Sequence, residues 1–237
     1  MNNYESIIMS SIPLHLLNEK DDVVGIGSGC IIDTPNFDYL FTVYHVANNE
    51  KRKVVILKEF DAKIGKPIYL MLGQFTNQCI IKNNKIENIE FSYKKIPIKY
   101  DYYYQEIKPP NIIEKSLLKT KYKLQQIKTP NKNDTYYFAG HTQPSIIESY
   151  AIETKFMLHC DYKYIGTNDW MHIFEPPEKH QGDEYYSGCS GAPIIDENNY
   201  IVSLLVSGDV SRNEVYGINL DKALMGFKLE ENIKFAI

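Results

Sequence analysis

Ser187-Gly188-Cys189-Ser190-Gly191-Ala192-Pro193 is followed by an apolar run, a polar turn and a second apolar run that ends at Ser207-Gly208. A serine hydroxyl attacks a carbonyl well only where the backbone turns sharply around it. Its own N–H and that of the residue two before, here Gly188, can then face the developing oxyanion. Glycine on both sides of Ser190 permits such a turn; a plain Gly/Ser loop between strands has the same composition. A base is the second requirement. Upstream, Leu40-Phe41-Thr42-Val43-Tyr44-His45-Val46 places one histidine at the end of a β-type run, with Thr42 three residues before it. Alone, that histidine also fits a satisfied structural residue; its order and spacing relative to Ser190 favour a base.

Another nucleophile arrangement, and a metal site, fit less well. A Gly-x-Ser-x-Gly elbow leads from a strand into a helix, whereas Ala192-Pro193 and a β-type run follow Ser190. The four cysteines (Cys30, Cys79, Cys160, Cys189) show no CxxC and no Cys/His spacing suited to zinc. Neither a metal nor another cofactor is expected.

The elements that must position these residues read as short strands. Runs rich in Val, Ile, Tyr and Phe occur at 23–32, 39–46, 53–57, 68–72, 78–81, 136–139, 151–161 and 200–207, separated by Gly, Pro, Asn and Asp clusters. Many short strands at such spacing indicate a barrel or sandwich. Helical periodicity is clearest at the end, where Leu220, Ala223, Leu224 and Phe227 follow a cap candidate at Asn219. Pro109-Pro110 opens a lysine-rich stretch that Pro130-Asn131 closes. Paired prolines fit a central strand poorly, so this stretch is expected to link two halves.

Composition narrows the function. The 237 residues include 26 basic and 30 acidic side chains, for a net charge of −4, and only Arg52 and Arg212 are arginines. Nucleic-acid binding needs a concentrated basic face and is not expected. The apolar runs are strand-sized, too short for a membrane helix, and the first residues lack the cationic and apolar pattern of a secretory signal. The expectation is a cytoplasmic protein without membrane partners; its oligomeric state is left open.

The motifs around His45 and Ser190 resemble those of the chymotrypsin/trypsin-like serine peptidases. In that family a Gly-x-Gly-apolar strand leads to a Thr-Ala-Ala-His type motif and the nucleophile lies in Gly-x-Ser-Gly-Gly-Pro. Gly27-Ser28-Gly29-Cys30-Ile31-Ile32, Thr42-Val43-Tyr44-His45 and Gly188-Cys189-Ser190-Gly191-Ala192-Pro193 are the counterparts. The resemblance implies a mostly β fold of two antiparallel β-barrels with a C-terminal helix. The barrels would span 1–108 and 133–237, joined by a linker at 109–132. It implies a serine endopeptidase acting on polypeptides, with Ser190 as nucleophile, His45 as base and the N–H groups of Gly188 and Ser190 as oxyanion hole. It also implies an acid in the first half. Ile89-Glu90-Phe91-Ser92-Tyr93-Lys94-Lys95-Ile96 fits the family pattern, with Glu90 where Asp is usual and Lys94 where an apolar residue is usual. His45 and Glu90 are 45 residues apart, and Glu90 and Ser190 are 100 apart. Asp101 is the alternative acid, although its flanks match less well.

Tyr137-Phe138-Ala139-Gly140-His141 and Val215-Tyr216-Gly217-Ile218 extend the resemblance to the opening and closing of the second barrel. Ser207 and Gly208 take the place of the segment that holds substrate backbone, and Glu184 that of the specificity-pocket floor. Asp209 and Glu214 are further acidic candidates there. A buried acid would favour Lys or Arg in the substrate. Cys189 stands where digestive relatives keep an activating Asp, no Ile-Val-Gly-Gly-like site precedes the first strand, and Val46 replaces the cysteine that would pair with Cys30. These departures argue for an enzyme made active in a reducing compartment. Viral relatives use a cysteine nucleophile, but with glycine directly after it; here Gly191 follows Ser190, so Cys189 is expected to be structural. The alternative to an active enzyme is a pseudopeptidase that uses the same fold as a protein-binding module.

Overall fold

The computed structural model describes residues 3–34, 37–48, 51–61, 63, 65–83, 85–96, 103–108, 112–118, 120–148 and 151–234. The first part of the chain forms α1 (Asn3–Ser10), β1 (Ile12–Leu17), β2 (Val23–Asp33), β3 (Asp38–Thr42), α2 (Tyr44–Ala47) and β4 (Lys53–Asp61). β5 (Lys66–Met71), β6 (Thr76–Lys82), β7 (Lys85–Ile96), β8 (Tyr103–Lys108), β9 (Ile112–Leu118) and β10 (Lys121–Lys123) follow. The remainder comprises β11 (Tyr136–Glu148), β12 (Ala151–Asn168), β13 (Met171–Glu175), α3 (Asp183–Tyr186), β14 (Pro193–Asp196), β15 (Ile201–Asp209), β16 (Glu214–Asn219) and α4 (Leu220–Lys234).

The mostly β architecture with a C-terminal helix is as expected. β11, β12, β13, β16, β15 and β14 close into a barrel. In the first half the pairing runs β5-β4-β1-β2-β3-β7-β6, with β10 added parallel to β2. Among the described residues β8 pairs only with β9. The expected linker at 109–132 thus contributes β9 and β10; Pro109 and Pro110 themselves lie outside the described residues. Its end is tied to the barrel. Lys128 N–H donates to Ile201 O at 3.0 Å, and the Lys128 ammonium pairs with Asp134 at 3.2 Å and with the fully buried Asp196. Among the described residues no helix is long and apolar enough to cross a membrane.

One strand differs from the sequence reading. The apolar run at 39–46 does not stay extended to His45. β3 ends at Thr42 and the chain turns into the single helical turn α2, where Val46 N–H and Ala47 N–H donate to Val43 O at 3.2 and 3.1 Å. Val43 and Val46 are both buried. The turn keeps Val43 and Val46 inside and rotates His45 outward.

The terminal helices cross over. Tyr4 of α1 meets Tyr137 of β11 edge-on at 6.1 Å. At the other end, Phe227 of α4 inserts its ring among Tyr39, Phe41 and Tyr93 of the first-half sheet, at 4.8, 5.3 and 5.1 Å. Asn219 caps α4 as expected, its side-chain oxygen accepting Lys222 N–H at 3.3 Å. Phe227 is fully buried, so its truncation leaves a cavity that the surrounding rings fill only in part. Phe227→Ala is expected to lower unfolding stability by about 3–5 kcal/mol, read from urea denaturation midpoints; a loss under about 1 kcal/mol would show that α4 does not carry the first-half sheet.

Candidate active site

α3 ends at Tyr186 and the chain makes a compact turn through Ser190. Cys189 N–H donates to Tyr186 O at 2.9 Å, Ala192 N–H to Cys189 O at 2.8 Å, and Gly191 N–H to Leu205 O of β15 at 2.7 Å. Gly188 and Gly191 have φ of +96° and +91°, a region that side chains disfavour. Space forbids a side chain at both as well. A β-carbon at Gly188 would stand 2.2 Å from His141 O, and one at Gly191 2.0 Å from Ser28 O. Among the described residues no hydrogen bond uses the N–H of Gly188 or of Ser190.

This turn is held by the first half. Ser28 N–H donates to Ser190 O at 2.7 Å and Ser28 Oγ–H to Gly188 O at 2.8 Å. Ser28 O in turn accepts Thr42 Oγ1–H at 2.7 Å. Thr42 is the last residue of β3, three before His45, so a single chain of bonds fixes the serine turn relative to the histidine turn. Gly27-Ser28-Gly29 is legible as a motif, but the role of Ser28 depends on a partner 160 residues away.

His45 and Glu90 come together. Glu90 Oε2 lies 3.0 Å from His45 Nδ1 and also accepts the His45 backbone N–H at 3.2 Å. Register explains the placement. β3 pairs with β7, Phe41 opposite Tyr93 and Thr42 opposite Ser92, and Phe91 meets Phe41 edge-on at 5.0 Å. With Ile89 and Phe91 buried, the intervening Glu90 points the other way, toward α2. Burial alone would raise the Glu90 pKa, but the His45 hydrogen bond and charge and the N–H groups of His45 and Tyr44 outweigh it. The carboxyl is held below its ordinary value. A carboxylate at Nδ1 fixes the imidazole proton there and leaves Nε2 as the free lone pair.

Ser190 Oγ–H donates to Val206 O at 3.3 Å, and among the described residues no hydrogen bond joins it to His45. Cys189 is fully buried against Gly140 and His141 O, and burial pushes its thiol up to about 12. All four cysteines are free. Among the described residues no group of three or more His, Cys, Asp or Glu could hold a metal.

The remaining sequence candidates lie nearby or apart. Ser207 and Gly208 form the emerging end of β15, which β14 pairs only as far as Leu204. Glu184 is exposed on α3. Asp209 is engaged by its own turn, accepting Ser211 Oγ–H at 2.6 Å, Ser211 N–H and Arg212 N–H, and Glu214 accepts Tyr216 O–H. Asp101 lies outside the described residues. His180, packed over Gly208, has no sequence signal that marks it out.

No family model and no curated protein sequence matches the chain. Solved structures do. The serine endoprotease from Yersinia pestis superposes with a TM-score of 0.51 at 13% identity, over 98% of this chain and 66% of that one. The chain thus spans just under two thirds of that protein's length. A Glu endopeptidase in complex with MPD gives 0.46 at 13% identity, over 98% of this chain and 94% of that one. A protease from M. tuberculosis in its active form gives 0.42 at 11%, over 92% and 79%. The fold is that of the chymotrypsin-like serine peptidases.

The depressed Glu90 pKa has a consequence for stability. A carboxyl whose folded pKa lies below its ordinary 4.5 contributes stability that is present above the unfolded value and is lost as pH falls through the folded one. Glu90→Gln is therefore expected to be less stable than the native chain at pH 7, with the gap closing below about pH 4. Urea titrations across that range check this; a gap independent of pH would contradict it.

Proposed function

We propose that the chain is a serine endopeptidase in which Ser190, His45 and Glu90 hydrolyse a peptide bond through an acyl-enzyme. The observation that carries this reading is the grip of one Glu90 oxygen on both Nδ1 and the backbone N–H of His45. A carboxylate so placed holds the ring in one tautomer and one orientation, with Nε2 basic. A purely structural ion pair needs neither.

Ser190 leaves its acceptor at Val206, a bond at the long end for O–H···O and so a weak one, and gives its proton to His45 Nε2 as Oγ attacks the substrate carbonyl. The imidazolium is stabilised by Glu90. The unused N–H groups of Gly188 and Ser190 are the candidates to receive the oxyanion, each worth about 3 kcal/mol of barrier in sites of this kind. His45 then protonates the departing amine, and water, deprotonated by the same nitrogen, releases the acid and returns Ser190. The open edge of β15 at Ser207 and Gly208 offers backbone groups to an extended substrate. Cys189 takes no part, because a buried thiol held up to about 12 supplies almost no thiolate at pH 7.

A fluorophosphonate probe is expected to label the native chain and to leave Ser190→Ala unlabelled. Absence of labelling on the folded native chain would instead leave a binding module of the same fold. Among active variants, Glu90→Ala removes both the acceptor that fixes the ring proton on Nδ1 and the charge that stabilises the imidazolium. The expected loss in kcat is about 10³- to 10⁴-fold, measured on any peptide the native chain cleaves; a loss under tenfold would remove Glu90 from this role.

A further inference from the structure

Arg52 is one of only two arginines in the chain, and Lys94 stands where the family pattern has an apolar residue. Neither belongs to the catalytic residues, and the fold brings both to one cavity. It has a volume of about 510 Å³ and opens beside the histidine turn. Ala47 and Asn48, at the end of α2, form one wall; Arg52 and the first residue of β4, Lys53, form a second. The connection between β5 and β6 closes the far side. Lys94 reaches the rim from β7. Its ammonium donates to Gln74 O at 2.9 Å and lies 3.7 Å from where a β-carbon of Gly73 would stand, and both of these residues line the cavity.

The cavity is short of negative charge. No Asp or Glu lines it, in a chain whose 30 acidic side chains outnumber its 26 basic ones. Lys53 is matched by Asp21 at 2.6 Å, and the other arginine, Arg212, by Asp209 at 3.6 Å. Arg52 and Lys94 have no carboxylate partner among the described residues. A guanidinium and an ammonium at one polar hollow, both without an acid, form a receptor for a carboxylate.

The position of the cavity identifies the source of that carboxylate. Ala47 and Asn48 follow His45 by two and three residues, about 3 to 4.5 Å further along the helical turn. On the other side, Asn77 lines the cavity and its Oδ1 accepts Ser92 Oγ–H at 2.6 Å, two residues from Glu90 on β7. A peptide held by β15 on one side of Ser190 gives up its amine at His45 on the other, so the departing segment starts next to this cavity. Its first three residues cover about 10 Å when extended, enough to set a side chain over the opening.

Resting on the peptidase reading, we infer that this cavity receives the carboxylate of an Asp or Glu within the first three residues after the scissile bond, with Arg52 and Lys94 as its partners. An amide of the same shape brings no charge to the two cations, and a lysine is repelled by them. Arg52 is exposed and Lys94 partly so, which makes the attraction sensitive to salt.

The test digests a proteome-derived peptide library with the native chain and reads the residues after each cut by mass spectrometry, beside fluorophosphonate labelling of Ser190. Asp and Glu are expected to exceed Asn and Gln at one of the three positions. In a quenched fluorogenic peptide built on the commonest cut, Glu at that position is expected to raise kcat/KM over Gln by about fivefold or more at low ionic strength. The ratio is expected to shrink in about 0.5 M salt. In Arg52→Gln and in Lys94→Met it falls, and in the double variant it approaches one, while the fluorophosphonate, too small to reach the cavity, labels Ser190 at the native rate. Cuts without acidic enrichment, or a Glu-to-Gln ratio that the double variant keeps, overturn this inference and leave the peptidase reading intact. So does a loss of labelling in the variants that matches the loss of cleavage, because the cations then support the fold and not the substrate. Absence of cuts by the native chain overturns both.

Discussion

Ser28 is the constraint on which the site depends. Its N–H and hydroxyl hold two carbonyls of the serine turn, and its own carbonyl takes the hydroxyl of Thr42, at the root of the histidine turn. Neither half of the chain contains the site. It exists only where the two meet, and the meeting leaves no room for a β-carbon at Gly191. The crossed terminal helices act on the same junction. α1 packs on the second-half barrel and α4 buries Phe227 in the first-half sheet, so separating the halves exposes aromatic surface at both ends of the chain. A few buried hydrogen bonds fix the register of the junction, and apolar packing supplies the force that keeps it closed.

Within that frame the chemistry is divided by environment. Glu90 and His45 remain partly open to solvent, with side chains 29% and 44% exposed, where a carboxylate stays ionised at little expense. Cys189, next to Ser190 in sequence, faces the interior, where burial suppresses its thiolate. Adjacent residues thus meet different environments according to which way the turn points them. The glutamate in place of the family's usual aspartate is accommodated by register: β7 buries Ile89 and Phe91, and the longer side chain of Glu90 reaches both the ring and the backbone of His45.

Much of this is legible in the sequence because it is local. The glycines around Ser190, the alternation through Ile89, Glu90 and Phe91, and the spacing of Leu220, Ala223, Leu224 and Phe227 each record a backbone geometry in a few neighbouring residues. What is not legible depends on distant partners. The turn at His45 reads as a strand because Val43 and Val46 are apolar in either geometry, and only the bonds of Val46 and Ala47 back to Val43 O make it helical. Ser28 is one small residue between two glycines until the serine turn arrives 160 residues later. The acid at Asp101 lies outside the described residues, and the contact of Glu90 with His45 gives the histidine a carboxylate without it.

The most direct test of the account is the rate at which a fluorophosphonate captures Ser190 in Gly191→Ala, measured beside its urea unfolding curve. The account predicts a chain that still unfolds cooperatively but is captured at least a hundredfold more slowly than the native one, because the new β-carbon forces the serine turn off Ser28. Capture at the native rate would contradict the claim that this junction builds the site.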